Sequence, residues 1–321
     1  MQLGFFTPIF NQLDLPALLR ELARYPQIRQ VELGTGGWPG SAHIDPDALL
    51  NSPSAARDFL SQLADHGLTI SALSCHGNPV HPRAEIAQRD DTLFRKSVRL
   101  ATQLGVSTVV TFSGCPGGAP PDTTPNWITA AWPPEYAEAL AWQWDERLIP
   151  YWRDAATFAA DHGIRVALEA HPGFCVYNPE TMLRLRAATN PALGINLDPS
   201  HLWWQGIDIP TAIAALEGAI FNVHAKDVAL HPANLARNGV LDTKSYRQMP
   251  ERSWLFRSVG WGHDELAWKQ IISALRLAGY DGVLSIEHED ALASTHEGLS
   301  SAIALLSRVL LTELPVEAAW A

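Results

Sequence analysis

The sequence predicts a (β/α)8 barrel in which residues 1–321 form one domain, with long βα loops after strands four and seven. Three observations carry that expectation. Eight short apolar runs recur along the chain, each closed by polar, glycine or proline residues and followed by a segment of helical period. The runs are apolar at nearly every position instead of alternating, as strands covered on both faces are. A length of 321 residues suits one large α/β barrel, usually about 250 residues before insertions, or two ordinary domains.

The runs, in order, are residues 3–7, 30–33, 69–74, 108–112, 165–169, 193–198, 219–224 and 282–287. Between them, Leu266, Ile271, Ile272 and Leu275 recur at helical spacing, as do Leu299, Ile303, Leu306 and Leu310. Several such segments run out in Gly67, Gly105, Gly163 or Gly279, where a left-handed C-cap turns the chain back. Strand alternating with helix implies a parallel sheet with right-handed crossovers. The alternative, a doubly wound sheet, lacks its usual G-x-G-x-x-G after the first strand. Two connections, 113–134 and 228–263, are too long for plain loops, and both follow strands. They therefore belong to the C-terminal face, where barrels place their active sites.

Composition narrows the function. With 47% hydrophobic and 18% charged residues, the chain can bury a full core. A net charge of −11 and a pI near 5.5 disfavour nucleic acid as a partner. Three cysteines without a C-x-x-C motif read as reduced thiols in a reducing compartment. The first residues lack a basic n-region, and no run of about 18 apolar residues exists, so neither export nor a membrane span is expected. The expectation is a cytoplasmic protein.

The late strands end in chemistry. Strand five ends in Glu169, six in Asp198, seven in His224 and eight in Glu287. Neighbouring parallel strands lie about 4.8 Å apart, so four consecutive strand ends on a curved wall converge. Three carboxylates and an imidazole at one point repel unless a cation sits among them. The hard, oxygen-rich set suits Mn2+ first, with Mg2+, Co2+ and Zn2+ as alternatives. A single carboxylate at a strand end can instead cap the next helix, but that explanation must be repeated independently at four strands.

The segments ALEAHP, NLDPSH, VHAKD, GWGHDELAW and GYDGVLSIEHED resemble the sugar phosphate isomerase/epimerase superfamily, the xylose isomerase-like barrels. The resemblance spans nearly the whole chain. It implies a single divalent metal held by Glu169, Asp198, His224 and Glu287, and substrate contacts from His201 and Arg257. It also implies a small-molecule sugar substrate and a homo-oligomer, commonly a dimer or tetramer. The activity it implies is isomerisation or epimerisation of a ketose, inosose or related keto-sugar through an enediolate, with Glu169 and Glu287 as acid/base pair. His171 and the long loops depart from simple ketose epimerases. They resemble lyases of the superfamily that split 3-keto-glycosides, so a metal-dependent lyase or hydratase is the second expectation. A nuclease resembling endonuclease IV would need more histidines and a basic track, and a binding protein on a dead barrel would not need all four ligands.

Other polar residues near strand ends are candidates for substrate contacts. His171 and His201 are possible acid/base groups behind metal-bound carboxylates, or simply hydrogen-bonded loop histidines. Lys226 and Asp227 could orient His224 or the substrate, or form a salt bridge opening the next helix. His76, Asn78 and Glu32 could bind hydroxyls or be structural. Trp203, Trp204, Trp127, Trp132, Trp254 and Trp261 could line an aromatic pocket or pack the lid. Cys115 lies close to strand four but has no evident base beside it.

Overall fold

A computed structural model of the chain describes residues 1–314 and 316. Strands β1 (Gln2–Phe6), β2 (Gln30–Gly34), β3 (Thr69–Ser74), β4 (Thr108–Phe112), β5 (Arg165–Glu169), β6 (Leu193–Leu197) and β7 (Ile220–Ala225) run parallel. An antiparallel pair follows, β8 (Asp227–Leu230) with β9 (Trp254–Arg257), and then β10 (Val283–Ile286) pairs with both β7 and β1. The order β1-β10-β7-β6-β5-β4-β3-β2 closes on itself, so the eight parallel strands form the barrel expected from the apolar runs.

Local chemistry sets the helix ends. Asp14, Asp45, Ser52 and Asp264 each accept a hydrogen bond from the backbone N–H three residues on. Asn178 and Ser294 go further and form reciprocal capping boxes with Thr181 and Glu297. Gly105 closes the 21-residue helix Ala84–Leu104 at φ 70°, a left-handed conformation that side-chain-bearing residues avoid.

The main core lies between the helices and the outer wall of the barrel. Trp152 and Trp268 are fully buried there, and the Trp152 indole donates to Ser113 O at 2.8 Å. Inside the barrel, Ala72, Val110 and Ala167 form a small apolar layer. Towards the C-terminal ends of the strands the interior turns polar, with Glu32, Ser74, Asn196 and Asn222 all buried. The 228–263 connection is not irregular: it carries β8, the helix Pro232–Asn238 and β9. Among the described residues, no helix is long and apolar enough to cross a membrane.

Candidate active site

Four neighbouring strands, β5, β6, β7 and β10, deliver one side chain each to a single point. Glu169 closes β5, Asp198 follows β6, His224 lies within β7 and Glu287 follows β10. One oxygen or nitrogen from each lies within 4.8 Å of the others. Asp198 is also the N-cap of the short helix Pro199–Trp203. Its Oδ1 accepts from Ser200 N at 2.8 Å, and Oδ2 lies 3.3 Å from His201 Nε2.

His224 is aimed from below. Its Nε2 lies 3.0 Å from Glu32 Oε1. An ionised carboxylate only accepts, so Nε2 carries a proton and Nδ1 is the nitrogen turned to the convergent point. Of the two roles expected for Glu32, hydroxyl binding or structural, its surroundings fit the structural one. It is the middle residue of its strand, sealed inside the barrel, and also accepts from Ser74 Oγ and from Asn222 Nδ2 at 3.0 Å. Burial acts to raise the Glu32 carboxyl, but the charge and hydrogen bond of His224, with those two donors, bring it below its ordinary value.

Three buried atoms, Asp198 Oδ2, His224 Nδ1 and Glu287 Oε2, have no well-directed hydrogen bond. Lys226 Nζ does lie 3.0 Å from both oxygens, and His224 Nδ1 lies 2.9 Å from Glu287 Oε2. These atoms are close yet misaligned for bonding to one another. Buried polar atoms are otherwise paired, and lone pairs converging on one point are what a shared cation satisfies. Three carboxylates and one imidazole fit a hard divalent ion.

The point opens into a cavity of about 460 Å³. Of the four convergent residues, only Glu169 and Glu287 line it; Asp198 and His224 stand behind. Its polar side includes Lys226, His76, His171 and Glu289, and its apolar side Phe6, Phe112 and Phe174. His76 Nε2 lies 3.0 Å from Glu169 Oε2, and Asn196 Nδ2 donates to the same oxygen at 3.1 Å. His201 is buried behind the carboxylates, with Nε2 3.1 Å from Glu169 Oε1, and does not line the cavity.

Burial acts to raise both cavity-facing carboxyls and is outweighed at each. Hydrogen bonds from His201 and His76 hold Glu169 well below its ordinary value, and Lys226 with His224 brings Glu287 to about 2. Burial also works against the Lys226 charge, yet Asp198, Glu287 and Glu289 keep it an ammonium. The crowded ring of His171, with His201 beside it, is pushed down to about 3. Its Nδ1 lies 2.6 Å from Pro172 O, so Nδ1 carries the proton and Nε2 is bare.

Like His201, the expected contacts Asp227 and Arg257 do not line the cavity. Asp227 accepts from the backbone N–H groups of Gly260, Gly262 and His263 at 2.9–3.2 Å and from His263 Nδ1 at 2.7 Å. Arg257 Nε donates to both oxygens of Asp290 at 3.1 Å. Asp227 ties the start of β8 to the end of the insertion, and Arg257 ties β9 to the segment after β10. Asn78 is likewise structural, bonded to Cys115 through N–H and carbonyl. The tryptophans pack rather than line: Trp203 stacks on His263 at 3.7 Å, and Trp204 on Trp254 at 4.8 Å. Trp127 packs edge-on against Tyr177, while Trp132 and Trp261 are mostly exposed. Cys115 is buried, and it lies beside Cys175 against a separate cavity.

The apolar wall and Glu289, whose Oε2 lies 3.0 Å from Lys226 Nζ, were not anticipated. Phe6 and Phe112 end β1 and β4, so the rule that found the convergent residues, applied to aromatic residues, would have found them. Trp38 also lines the cavity, from the loop after β2, and its only signal is its place among glycines.

A family model for xylose isomerase-like TIM barrels matches residues 22–308. The chain belongs to that family. A relative from Bacillus subtilis (strain 168), "Uncharacterized protein YfiH", is 37% identical over 313 residues, covering 97% of this chain and 99% of that protein. Among solved structures, the probable 3-DHS dehydratase AsbF from Bacillus anthracis superposes with a TM-score of 0.66 at 18% identity, covering 96% of this chain and 99% of the other. A D-tagatose 3-epimerase-like protein superposes at 0.63, again at 18% identity, over 96% and 98%. Identities that low speak for the fold.

Proposed function

We propose that the chain is a divalent-metal-dependent sugar isomerase or epimerase acting on a ketose, inosose or related keto-sugar. The observation that carries this reading is the division of the convergent set. Asp198 and His224 are buried behind, and Glu169 and Glu287 face the cavity. Two residues then serve binding alone, and two can also reach a substrate. Mn2+ is the ion the donor set favours.

Such an ion, held by Glu169, Asp198, His224 and Glu287, would supply a Lewis acid for the substrate carbonyl, which would acidify the C–H of the adjacent hydroxyl-bearing carbon. The chain's own residues do the rest. Glu169 and Glu287, from strands separated by β6 and β7, flank the sugar, and one removes the proton at that carbon. Return to the neighbouring carbon is isomerisation; delivery to the opposite face of the same carbon is epimerisation. His76 and His201 fix the Glu169 carboxylate through hydrogen bonds. Lys226 keeps its proton and acts as a fixed positive charge beside Glu287. His171 is neutral at physiological pH and offers a hydrogen bond to a sugar hydroxyl.

A second reading retains the proton abstraction and ends in loss of a group β to the carbonyl, as in a lyase or hydratase. A second space of about 410 Å³, which has His171 and Glu289 in its lining as the cavity does, supports it as a place for a departing group.

The test is exchange of the substrate α-proton with deuterated water across a panel of ketohexoses and inososes. Exchange that disappears with chelator and returns with Mn2+ is expected. Undiminished exchange in metal-stripped protein would overturn the reading.

A further inference from the structure

Lys226 follows β7 directly, and its side chain is fully buried. Its Nζ lies 3.0 Å from each of three carboxylate oxygens, Asp198 Oδ2, Glu287 Oε2 and Glu289 Oε2. The Phe256 ring covers the amino group from another side, with its centroid 4.7 Å away. His201 Nε2 lies 3.4 Å away and is turned towards Glu169. The three carboxylates are not equivalent. Glu289 accepts an aligned hydrogen bond from Nζ, and its side chain is half-exposed outside the convergent set. Asp198 and Glu287 belong to that set, and their oxygens receive the charge of Lys226 without a well-directed hydrogen bond. The ammonium thus stands against two of the convergent oxygens and is anchored to a third oxygen further out.

We infer that Lys226 competes with the divalent ion for Asp198 and Glu287, and that the Lys226–Glu289 pair sets how tightly the corner holds its ion. The inference rests on the proposed metal site and goes beyond it by naming what limits the affinity. Carboxylates buried together repel one another, and the ammonium offsets that repulsion while leaving the Asp198 and Glu287 lone pairs open. The same positive charge opposes any divalent cation that shares those oxygens. Glu289 draws the ammonium outward and so relieves the opposition. A lysine that merely positioned the two carboxylates would act in the other sense, because its loss would loosen the ion. The sign of the change in affinity therefore separates the two roles.

The test is the Mn2+ dissociation constant of the full chain, by competition with a chromophoric chelator, for the parent, Lys226→Met, Glu289→Gln and the double variant. Lys226→Met is expected to bind Mn2+ about tenfold tighter or better, the scale on which neighbours of metal ligands act. Mn2+ should also raise the Tm of Lys226→Met by more than it raises that of the parent. Glu289→Gln should weaken binding, and the weakening should vanish in the Lys226→Met background, because Glu289 acts through the lysine. Unchanged or weaker binding in Lys226→Met would overturn the inference and leave the metal site standing. So would a Glu289→Gln effect of equal size in both backgrounds. A parent that binds no Mn2+ would sink the metal site and the inference together. Should Lys226→Met fail to fold, Glu289→Gln decides alone: weaker binding supports the inference and unchanged binding overturns it. The constant is read without turnover, so the expected pattern in a protein that exchanges no α-proton would sink the catalytic reading only.

Discussion

Two sets of polar residues share the same stretches of sequence and meet opposite fates. His224 and Glu287 point at the convergent corner; Asp227 and Asp290, a few positions further along the same segments, do not. Asp227 is filled by protein donors, including three backbone N–H groups. Asp290 accepts from Arg257, from both Ser258 donors and from Leu292 N. Glycine is needed at 262, because a Cβ there would stand 2.2 Å from Val228 O and 2.6 Å from Asp227 Oδ1. At the other corner, buried atoms of Asp198, His224 and Glu287 lack aligned partners. A carboxylate the fold satisfies holds the fold; one it leaves unsatisfied is available to something else.

The contrast can be broken by substitution. The largest effect belongs to the cavity-facing carboxylates. Glu169→Gln or Glu287→Gln should lower kcat by about 10²–10⁴-fold, the range for a positioned acid/base, with little change in Tm. A variant within threefold of the parent in steady-state assays would remove that residue from the chemistry.

Asp227→Ala should act on stability instead. It removes the acceptor of the Gly260, Gly262, His263 and Val228 backbone N–H groups, of which buried Val228 N left unpaired costs about 1–3 kcal/mol, and should lower the urea midpoint. Enzyme that remains folded should still bind metal one to one. If metal binding vanished while the midpoint held, the division between the two corners would be wrong.

Glu32→Gln probes the link between the fold and the corner. Weakening the partner of His224 Nε2 should reduce metal affinity by about 10–100-fold, measured by competition with a chromophoric chelator. Unchanged affinity would make Glu32 a core residue only.

The smallest effect concerns a histidine remote from the corner. Burial lowers the His43 pKa, more than its hydrogen bond to Phe10 O raises it. The unfolded chain therefore binds a proton that the folded one refuses. The stability this contributes is present above about pH 6.5 and is lost as pH falls from there towards the folded value. His43→Gln should flatten the decline in Tm over that window, and an unaltered slope would contradict it.

The sequence made the barrel legible because both faces of its strands are covered. Near-continuous apolar runs located every strand to within about a residue, and strand ends located the convergent residues. The same property hid Glu32. Without alternation, nothing in QVEL says which residue points into the barrel, and Glu32 looks like a strand end. The roles of Asp227 and Arg257 were hidden for a different reason. What distinguishes Asp227 from Asp198 is the position of the Gly260–His263 amides, which depends on how the insertion folds back. The insertion itself read as loop because β8 and β9 are four residues each and separated by a long excursion. Tryptophan count suggested an aromatic pocket, but packing assigned most of those rings to the insertion and its supports.

The central claim is that the corner formed by β5, β6, β7 and β10 holds one divalent ion and that the neighbouring Asp227 corner holds none. Metal content by mass spectrometry after exhaustive dialysis against Mn2+-free buffer, for the parent, Asp198→Ala and Asp227→Ala, tests it most directly. One equivalent in the parent and in folded Asp227→Ala, with almost none in Asp198→Ala, is the expected pattern. A full equivalent retained by Asp198→Ala would contradict it.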